Sequence, residues 1–542
     1  MARISTYPLD TSISEDDLLV GTDAEDGNIT KNFKISALAE YFGPGGGSAV
    51  SSIIAGAGIS ISPSNGKGNV TISAPTAPQW LTSDAVVTNG VVNYVSNLLI
   101  PTGSTSIGDT AFSNMNLDAV DFNNQAITNI GAAAFAVNKL KGTLTLPSTL
   151  LAIGDYAFQA FNNASNRIEL IEFGNQLTTI GIGTFWRNAI TSLSIPSSVT
   201  AIGTNAFRQQ MDTLGTKTLT SLTFESRTTA LTLSSYAFDS NAIASVNIPS
   251  NTTTGSHAFA YNDPLSSVTI GDNSTIGQRS FYYNESISSL TIGDNVNLSN
   301  DNTFGINTVI PPIDLLTSVN LPSTTTFTTE SGGTFTGRRN LTTFTVANGA
   351  NSFWPQTLNS GVVPSSMFLR CGLTEVSIDS NVTVGDYAFS DNLLTSISIG
   401  ENVTLNSNAF YSNPTGAIST LTIPGTTIFP NDSALQFANI NITNLIIEEG
   451  ITEIPSRMCT NAGVSSGVTN VTFPSSVVLI NSSAFSNNNI SGTLTFASVI
   501  TIAEQAFENN PGITTVNVPI GSTINTNGSL SSFDSGVTIN YV

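Results

Sequence analysis

The chain contains few residues that could carry out acid–base chemistry, and their spacing argues against a catalytic site. His257 is the one histidine in 542 residues, and it occupies a slot that elsewhere holds Tyr156 and Tyr387. The acidic pairs Asp16-Asp17 and Glu448-Glu449 are adjacent in sequence, and consecutive residues of a strand face opposite sides. Neither pair therefore forms an acid–base couple by itself. We predict that the protein is not an enzyme and takes no cofactor.

The two cysteines, Cys371 and Cys459, lie far apart and lack the spacing of metal ligands. Neither a disulfide framework nor a metal site is expected, and both thiols are predicted to be free and buried. The glycine-rich stretch 43–47 lacks the Lys-Ser/Thr ending of a phosphate-binding loop and indicates a linker.

Hydrogen bonding to an extended ligand is the chemistry that the sequence does offer. In segments such as Leu193-Ser194-Ile195-Pro196, alternation buries Leu193 and Ile195 and directs Ser194 outward. The candidate ligand-binding face consists of the outward residues Thr145, Ser194, Thr223, Asn247, Thr269, Thr291, Asn320, Thr345, Ser377, Ser398, Thr422, Thr472 and Thr495. These are thirteen of seventeen outward strand positions between Asp121 and Asn517; with strands about 4.8 Å apart, the full row would be on the order of 80 Å long and could bind a glycan. Threonine also suits a merely solvated sheet, which is the alternative.

These segments belong to a repeat organised around phenylalanine. The hexapeptide Ile153-Gly154-Asp155-Tyr156-Ala157-Phe158 recurs along the chain, with successive phenylalanines mostly 21 to 27 residues apart. A fixed period in this range indicates a solenoid. The residues predicted to stack in its core are Phe112, Phe135, Phe158, Phe185, Phe207, Phe238, Phe259, Phe281, Phe304, Phe389, Phe410, Phe485 and Phe507. Each buried ring would contribute roughly 1.5–3 kcal/mol.

An asparagine often stands three residues after the phenylalanine, as at Asn138 and Asn262. Asparagine adopts the left-handed αL conformation readily, so we predict that it ends a short helical turn in αL and bonds neighbouring backbone. The rhythm breaks between Phe304 and Phe368 and within 208–224. Insertions in solenoids often lie on a binding face, although degenerate repeats would look the same.

The repeat Ile-Gly-x-x-Ala-Phe-x-x-Asn-x-Leu-Thr-Ser-Leu-x-Ile-Pro resembles the BspA-like (Treponema-type) leucine-rich repeat of microbial surface proteins. The resemblance implies a curved solenoid with a parallel sheet on its concave side, used for adhesion and ligand binding. The expected fold class is therefore a mainly β repeat solenoid over 101–542, a leucine-rich-repeat array with a parallel sheet and short helical or 3-10 turns. Small β-rich modules and a short helix are expected before it. Members of that family often carry cysteine where this chain has asparagine.

Four segments precede the array. Residues 1–42 are predicted to form a small module of two strands and a short helix at 37–42, and 43–48 is the glycine-rich linker. Residues 49–78 are predicted to form a β-hairpin segment. Residues 79–100 are predicted to be a helix because their apolar residues recur at four-three-four spacing. That helix would be either a coiled-coil stalk that joins chains or a cap on the open end of the solenoid.

The N-terminal segments carry a second resemblance. Residues 17–23, 30–33 and 38–42 are similar to the start of many tailed-phage fibre and structural proteins, and residues 56–62 and 85–95 resemble segments of tail fibres. This resemblance implies a virion appendage. Its N-terminus would attach to other virion proteins, its solenoid would bind a host-surface glycan or protein, and the chain would form a homotrimer. The alternatives are a structural virion decoration protein and a non-classically exported cell-surface adhesin.

The charge of the chain restricts its partners. Sixteen Lys and Arg face 37 Asp and Glu, giving a net charge of −21. Nucleic acid is not an expected partner, because proteins bind phosphates mainly through Lys and Arg. The chain has no uninterrupted apolar run of membrane-spanning length, so membrane insertion is not expected. The first residues lack the apolar region of a signal peptide, which fits localisation in a virion; the extracellular space or cell surface is the alternative.

Overall fold

The computed structural model describes six short strands near the N-terminus and most of the chain from residue 97 onward. The described ranges are 18–23, 29–34, 60–62, 71–73, 87–88, 91–92, 97–160, 167–299, 301–306, 314–322, 324–327, 333–346, 349–350, 352–353, 361–430, 435–461, 467–526, 528 and 531–542. The 44 elements in these ranges are all β-strands. The chain divides into two compact units, 1–103 with 116–125, and 104–115 with 126–542.

The first unit contains three antiparallel strand pairs and one parallel pair. The antiparallel pairs are Leu18–Asp23 with Ile29–Lys34, Ser60–Ser62 with Thr71–Ser73, and Val87–Thr88 with Val91–Val92. The parallel pair is Asn97–Leu99 with Ala119–Asp121. The helix predicted at 37–42 lies outside the described residues.

The helix predicted over 79–100 is wrong where the structure describes that segment. Val87–Thr88, Val91–Val92 and Asn97–Leu99 are strands. The sequence between the first two is Asn89-Gly90, which favours a two-residue hairpin, and the flanking valines are β-branched. Local turn chemistry and strand propensity therefore override the weak helical spacing in the described residues of this segment.

The second unit is a parallel β-solenoid in which each coil contributes a short strand and a longer one. The short strands, which contain the Ile of Ile-Gly or the residue that replaces it, form a ladder in three parts. Its ten-stranded part comprises Ser106–Ile107, Asn129–Ile130, Ala152–Ile153, Thr179–Ile180, Ala201–Ile202, Leu231–Leu233, Thr252–Thr254, Thr275–Ile276, Asn297–Leu298 and Thr326–Phe327. The ladder resumes as Val362–Val363, Thr383–Val384 and Thr404–Leu405, and again as Glu453–Ile454, Leu479–Ile480, Thr501–Ile502 and Thr523–Ile524.

The longer strands form seven separate sheets that together make the long-strand face. They are Gly142–Thr145 with Ile168–Glu172; Ser192–Ile195 with Ser221–Phe224; Ser245–Ile248, Ser267–Ile270 and Ser289–Ile292; Ser318–Leu321, Thr343–Val346 and Gly349–Ala350; Ser352–Phe353, Glu375–Ile378 and Ser396–Ile399; Asn413–Ile423, Ile440–Ile447 and Asn470–Thr472; and Ser491–Thr495, Gly512–Val518 and Thr538–Tyr541. Burial alternates as expected, with Leu193 and Ile195 buried and Ser194 exposed. The predicted parallel solenoid is confirmed.

Between the two strands of a coil, the Ala-Phe turn is itself bonded to the next coil. The N–H groups of Tyr156 and Phe158, for example, donate to the carbonyls of Ile182 and Thr184 at 2.6 and 2.9 Å. Within the turn, the N–H of Gln159 donates to the carbonyl of Tyr156 at 3.1 Å, an i to i+3 bond of the 3-10 type. The turn therefore extends the inter-coil hydrogen bonding between the strands.

Left-handed residues occur at two fixed positions of this turn, two before and two after the phenylalanine. His257 and Tyr261, which flank Phe259, have φ of 57°. The asparagine at the third position after the phenylalanine does not have positive φ, so the prediction that it adopts αL is wrong. The left-handed residue lies one position earlier, and the side chain of the asparagine turns inward.

Stacked phenylalanines fill the core as predicted. Successive ring centroids from Phe112 to Phe437 lie 5.1–5.8 Å apart with nearly parallel planes. The predicted core set omitted Phe335, Phe368, Phe437 and Phe533, which also belong to the stack. Cys459 takes the ring position between Phe437 and Phe485, because its N–H bonds the next coil in the same way.

A column of buried asparagines runs beside the phenylalanines. The Nδ2 of Asn262 donates to the carbonyls of Phe259 and Phe238 at 3.0 and 3.1 Å, and its Oδ1 accepts from the N–H of Ile243 at 3.2 Å. The other buried members are Asn138, Asn188, Asn241, Asn284, Asn392, Asn413, Asn488 and Asn510. One side chain thus satisfies carbonyls of two coils where no strand supplies donors, which a buried backbone requires.

Other residue types replace asparagine at some positions of this column. Gln210 donates to the carbonyl of Phe185 at 2.7 Å, and Cys371 lies with its sulfur 3.3 Å from the carbonyl of Phe335. Arg338 is fully buried, bonds the carbonyls of Phe304 and Asn284, and pairs with Asp314 at 3.3 Å. The longer arginine reaches across the break in rhythm between Phe304 and Phe368, and Asp314 balances its buried charge.

Candidate ligand-binding surfaces

The structure places the predicted ligand-binding residues on the long-strand face and brings most of them together in pairs or triplets. The paired registers are Ser194 with Thr223, Asn247 with Thr269 and Thr291, Asn320 with Thr345, and Ser377 with Ser398. Of the thirteen, twelve have a described side chain, and all twelve are exposed or half-buried. Only the backbone of Thr345 is described.

The row is less uniform than the sequence predicts. It is divided among the seven sheets, and Thr422 and Thr472 are separated by the apolar Ile446. Thr145 donates to the carboxylate of Glu172 at 2.8 Å, and Thr495 accepts from Asn517 at 3.3 Å. Some of its hydrogen-bonding capacity is therefore used internally, and the rest faces solvent.

His257 occupies the repeat slot that the sequence predicts, two residues before Phe259. Its ring stacks on that of Tyr236 with centroids 4.8 Å apart, and its Nδ1 lies 2.6 Å from the hydroxyl oxygen of Ser256. Burial, aided by the positive charge of Arg279, lowers the pKa of His257. The ring is therefore neutral at neutral pH, and its contacts are those of a packed aromatic side chain.

Both thiols are free and buried, as predicted. Burial raises the pKa of Cys371 and of Cys459, so each remains protonated and unreactive at neutral pH. In the part of the chain that the structure describes, no three His, Cys, Asp or Glu residues are grouped to hold a metal ion. Among the same residues, no helix has the length and apolarity to cross a membrane.

One cluster of partly exposed aromatic rings was not predicted from the sequence. We call it the aromatic strip and define it as Tyr236, His257, Tyr261, Tyr282 and Tyr283. Tyr261 stacks on Tyr283 at 5.1 Å, and Tyr282 meets His257, Tyr261 and Tyr283 edge to face at 6.5, 6.1 and 4.8 Å. Burial, with the neighbouring Tyr283, raises the pKa of Tyr261 and of Tyr282, so these rings carry no charge at neutral pH.

The signal for the strip was present in the sequence at the positions that flank each core phenylalanine. Phe281-Tyr282-Tyr283 and Phe259-Ala260-Tyr261 carry tyrosine where Phe485-Ser486-Asn487 and Phe389-Ser390-Asp391 carry small polar residues. The consensus treats these positions as variable, and only the stacking of successive coils shows that they form one surface.

Comparison with known proteins places the chain in a family. A sequence profile described as BspA type leucine rich repeat region, with six copies, matches residues 92–213, 214–311, 361–490 and 433–540. No curated protein sequence matches the chain.

Several solved structures resemble the chain. A leucine-rich repeat protein from Eubacterium ventriosum is 21% identical over 61% of this chain and 80% of that chain, with a TM-score of 0.32. The pneumococcal vaccine antigen PcpA is 16% identical over 82% of this chain and 89% of its own, with a TM-score of 0.28. A leucine rich cell surface protein from Faecalibacterium prausnitzii is 19% identical over 57% and 80%, respectively, with a TM-score of 0.28. Because the profile matches well over half of the sequence, the chain belongs to the BspA-type leucine-rich-repeat family.

Proposed function

We propose that the protein is a non-enzymatic recognition protein of the adhesin type, whose solenoid binds a glycan or protein on a cell surface. The observation that carries this proposal is the long-strand face, where uncharged hydrogen-bonding side chains lie in register and face solvent. Asn247, Thr269 and Thr291 are three directly paired members of this face. Such a row offers donors and acceptors at the spacing of strands, which suits an extended ligand.

The reactive side chains support binding rather than catalysis. His257 is packed between aromatic rings, and both thiols are buried. A catalytic base needs access to a proton on a substrate, and a nucleophilic thiol needs its thiolate form. These residues have neither arrangement.

The test is binding of the labelled full-length chain to intact cells, measured by flow cytometry on a panel of bacterial and epithelial cells. We expect saturable binding to at least one cell type. Thr269→Glu with Thr291→Glu, a directly paired couple on the long-strand face, should weaken it at least tenfold, because two carboxylates replace uncharged donors.

The matched control lies in the same region of the solenoid, on the other ladder. Thr253→Glu with Thr275→Glu introduces the same two charges on exposed residues that are also directly paired. It should leave binding unchanged. Absence of binding to every cell type would contradict the proposed function, and equal losses in the two double variants would contradict a role for the long-strand face.

A second candidate is that the protein is carried on a phage virion, with the N-terminal region attached to other virion proteins and the chain assembled as a trimer. The similarity of residues 17–23 and 85–95 to tail-fibre segments favours it. Fibres of this kind imply a trimer, so the full-length chain should have three times the mass of one chain by light scattering. A monomeric mass at micromolar concentration would argue for the adhesin without a virion.

A further inference from the structure

We propose that the aromatic strip is a binding site for a neutral glycan, a surface separate from the long-strand face. The inference rests on the proposed function in that it names a ligand class for the same solenoid. Three successive coils bring the five rings together: Tyr236 from one, His257 and Tyr261 from the next, and Tyr282 and Tyr283 from the third.

The strip presents apolar ring surface to solvent with polar tips. Tyr261 is 38% exposed, and the other four rings are half-buried. Among the described residues, no hydrogen bond is made by the hydroxyl of any of the four tyrosines. A pyranose ring has an apolar C–H face and a rim of hydroxyls, so it can stack on such rings while its hydroxyls bond their tips.

Two ion pairs place both donors and acceptors beside the rings. Arg208 lies over the ring of Tyr236, with its carbon Cζ 4.9 Å from the centroid, and donates to Asp239 at 2.8 Å. Arg279 lies 6.0 Å from the ring of Tyr282 and pairs with Asp301 at 3.3 Å. An arginine held over a ring by a carboxylate has restricted N–H directions, which suits neighbouring sugar hydroxyls.

One oxygen of this cluster has no hydrogen-bond partner among the residues that the structure describes. Asp239 uses Oδ2 to accept from Arg208 and from the hydroxyl of Ser240, both at 2.8 Å. Its Oδ1 accepts no hydrogen bond from the described residues, although the side chain is only 1% exposed. Leaving a buried acceptor unused carries a free-energy cost. A sugar hydroxyl that reaches this oxygen when Arg208 shifts would recover that cost.

The insertion at 208–224 borders the strip. Met211 and Lys217 form an antiparallel bridge, and the ammonium of Lys217 donates to the carbonyl of Tyr261 at 2.6 Å and pairs with Asp263 at 2.7 Å. Between them Leu214 is 89% exposed. The extra residues of this coil are thus tied to the coil that carries Tyr261, which agrees with insertions lying at the binding face of a solenoid.

Charge favours a neutral ligand over an acidic one. Arg208, Arg279 and Lys217 are each paired with a carboxylate, and His257 is neutral, so the strip has no excess positive charge. The whole chain carries a net charge of −21, which repels polyanions. Recognition must therefore come from stacking and neutral hydrogen bonds.

The test is affinity gel electrophoresis of the full-length chain in gels that contain dextran, a β-glucan, a mannan or a galactan, with polygalacturonate as the acidic polymer. We expect concentration-dependent retardation by at least one of the four neutral polymers and none by polygalacturonate. Tyr236→Ala with Tyr282→Ala should weaken that retardation about tenfold, because it removes two of the rings on which a sugar would stack.

The control has tyrosines at the same two repeat positions in other coils. Tyr387 stands two residues before Phe389, and Tyr411 directly follows Phe410, as Tyr236 precedes Phe238 and Tyr282 follows Phe281. Tyr387→Ala with Tyr411→Ala should leave retardation unchanged. Since all four residues are at least partly exposed, both double variants should retain the circular dichroism spectrum of the unmodified chain.

Three results would overturn the inference. They are no retardation by any neutral polymer, retardation by the acidic polymer only, and equal retardation of the two double variants. Cell binding separates this failure from failure of the proposed function. If Tyr236→Ala with Tyr282→Ala still binds cells, the proposed adhesin function is kept and the aromatic strip is not its binding site. A third outcome would indicate a protein ligand instead of a glycan. In it, no polymer retards the protein in the gel, and cell binding is abolished both by Tyr236→Ala with Tyr282→Ala and by protease treatment of the cells.

Discussion

At the scale of single residues, buried amides stabilise the turns of this solenoid. Asn262 is completely buried; its Nδ2 donates to the carbonyls of Phe238, Phe259 and Ala260, and its Oδ1 accepts from the N–H of Ile243. No strand runs through this corner of the coil, so side-chain amides supply donors there: the carbonyl of Phe238 also accepts from Asn241, and that of Phe259 also accepts from Asn284. The asparagine column therefore provides here what a sheet provides elsewhere, which is complete pairing of buried backbone.

Asn262→Ala should lower the free energy of unfolding by about 1–3 kcal/mol, because it leaves the buried N–H of Ile243 without its acceptor and removes one of the two amide donors to the carbonyls of Phe238 and Phe259. Chemical denaturation of the full chain, followed by circular dichroism, measures the loss. Asn247→Ala is the control: this asparagine is exposed on the long-strand face of the adjoining coil, and its removal should change stability by less than about 0.5 kcal/mol. Equal effects of the two changes would show that the buried hydrogen bonds contribute nothing.

Prediction from sequence succeeded for residues whose role repeats and failed for those whose role depends on neighbours in other coils. The core position of Phe259 and the buried state of Cys371 follow from the repeat alone. The prediction for the asparagines was half right. They bond neighbouring backbone, but the residue before each of them, and not the asparagine, adopts the αL conformation. Tyr261 and Tyr283 are 22 positions apart, and nothing local indicates that their rings stack.

At the scale of elements, the sequence predicts one ladder and the structure contains two. The longer strands alternate over four residues, which is enough to indicate a strand. A strand such as Thr179–Ile180 has two residues and no periodicity of its own. It becomes a strand only because it pairs with the short strands of the preceding and following coils. The ten-stranded ladder is therefore formed by the stacking of coils.

The glycine of Ile-Gly allows two coils to approach closely. Gly108, in the first coil, has no coil packed against the side where a Cβ would lie and therefore serves as the control. A Cβ on Gly154 would lie 2.6 Å from the backbone nitrogen of Ala132, whereas one on Gly108 would meet nothing within 4 Å. We expect Gly154→Ala to cost about 1–3 kcal/mol through overpacking, and Gly108→Ala to be neutral within about 0.5 kcal/mol. The measurement is the midpoint of urea unfolding for each variant. A neutral Gly154→Ala would mean that the coils separate without cost.

At the scale of the whole molecule, the repeat and the family are secure, and the biological setting is a proposal. The periodic phenylalanines predicted a parallel solenoid because the period is read from the entire array. It stays recognisable even where single repeats are degenerate. The N-terminal region has no repeat, so a spacing of four apolar residues suggested a helix where Asn89-Gly90 and its neighbouring valines give strands. Attachment to a virion and trimer formation stay predictions, since they concern partners.

The asparagine column has a consequence for how such a protein changes length. Each buried amide joins its own coil to the preceding one through main-chain carbonyls, which every sequence possesses. A coil can consequently be joined to almost any other coil that carries the same phenylalanine and asparagine. Duplication or loss of whole coils within the gene would then alter the reach of the protein by one stacking distance at a time, while the surface of each coil diversifies separately.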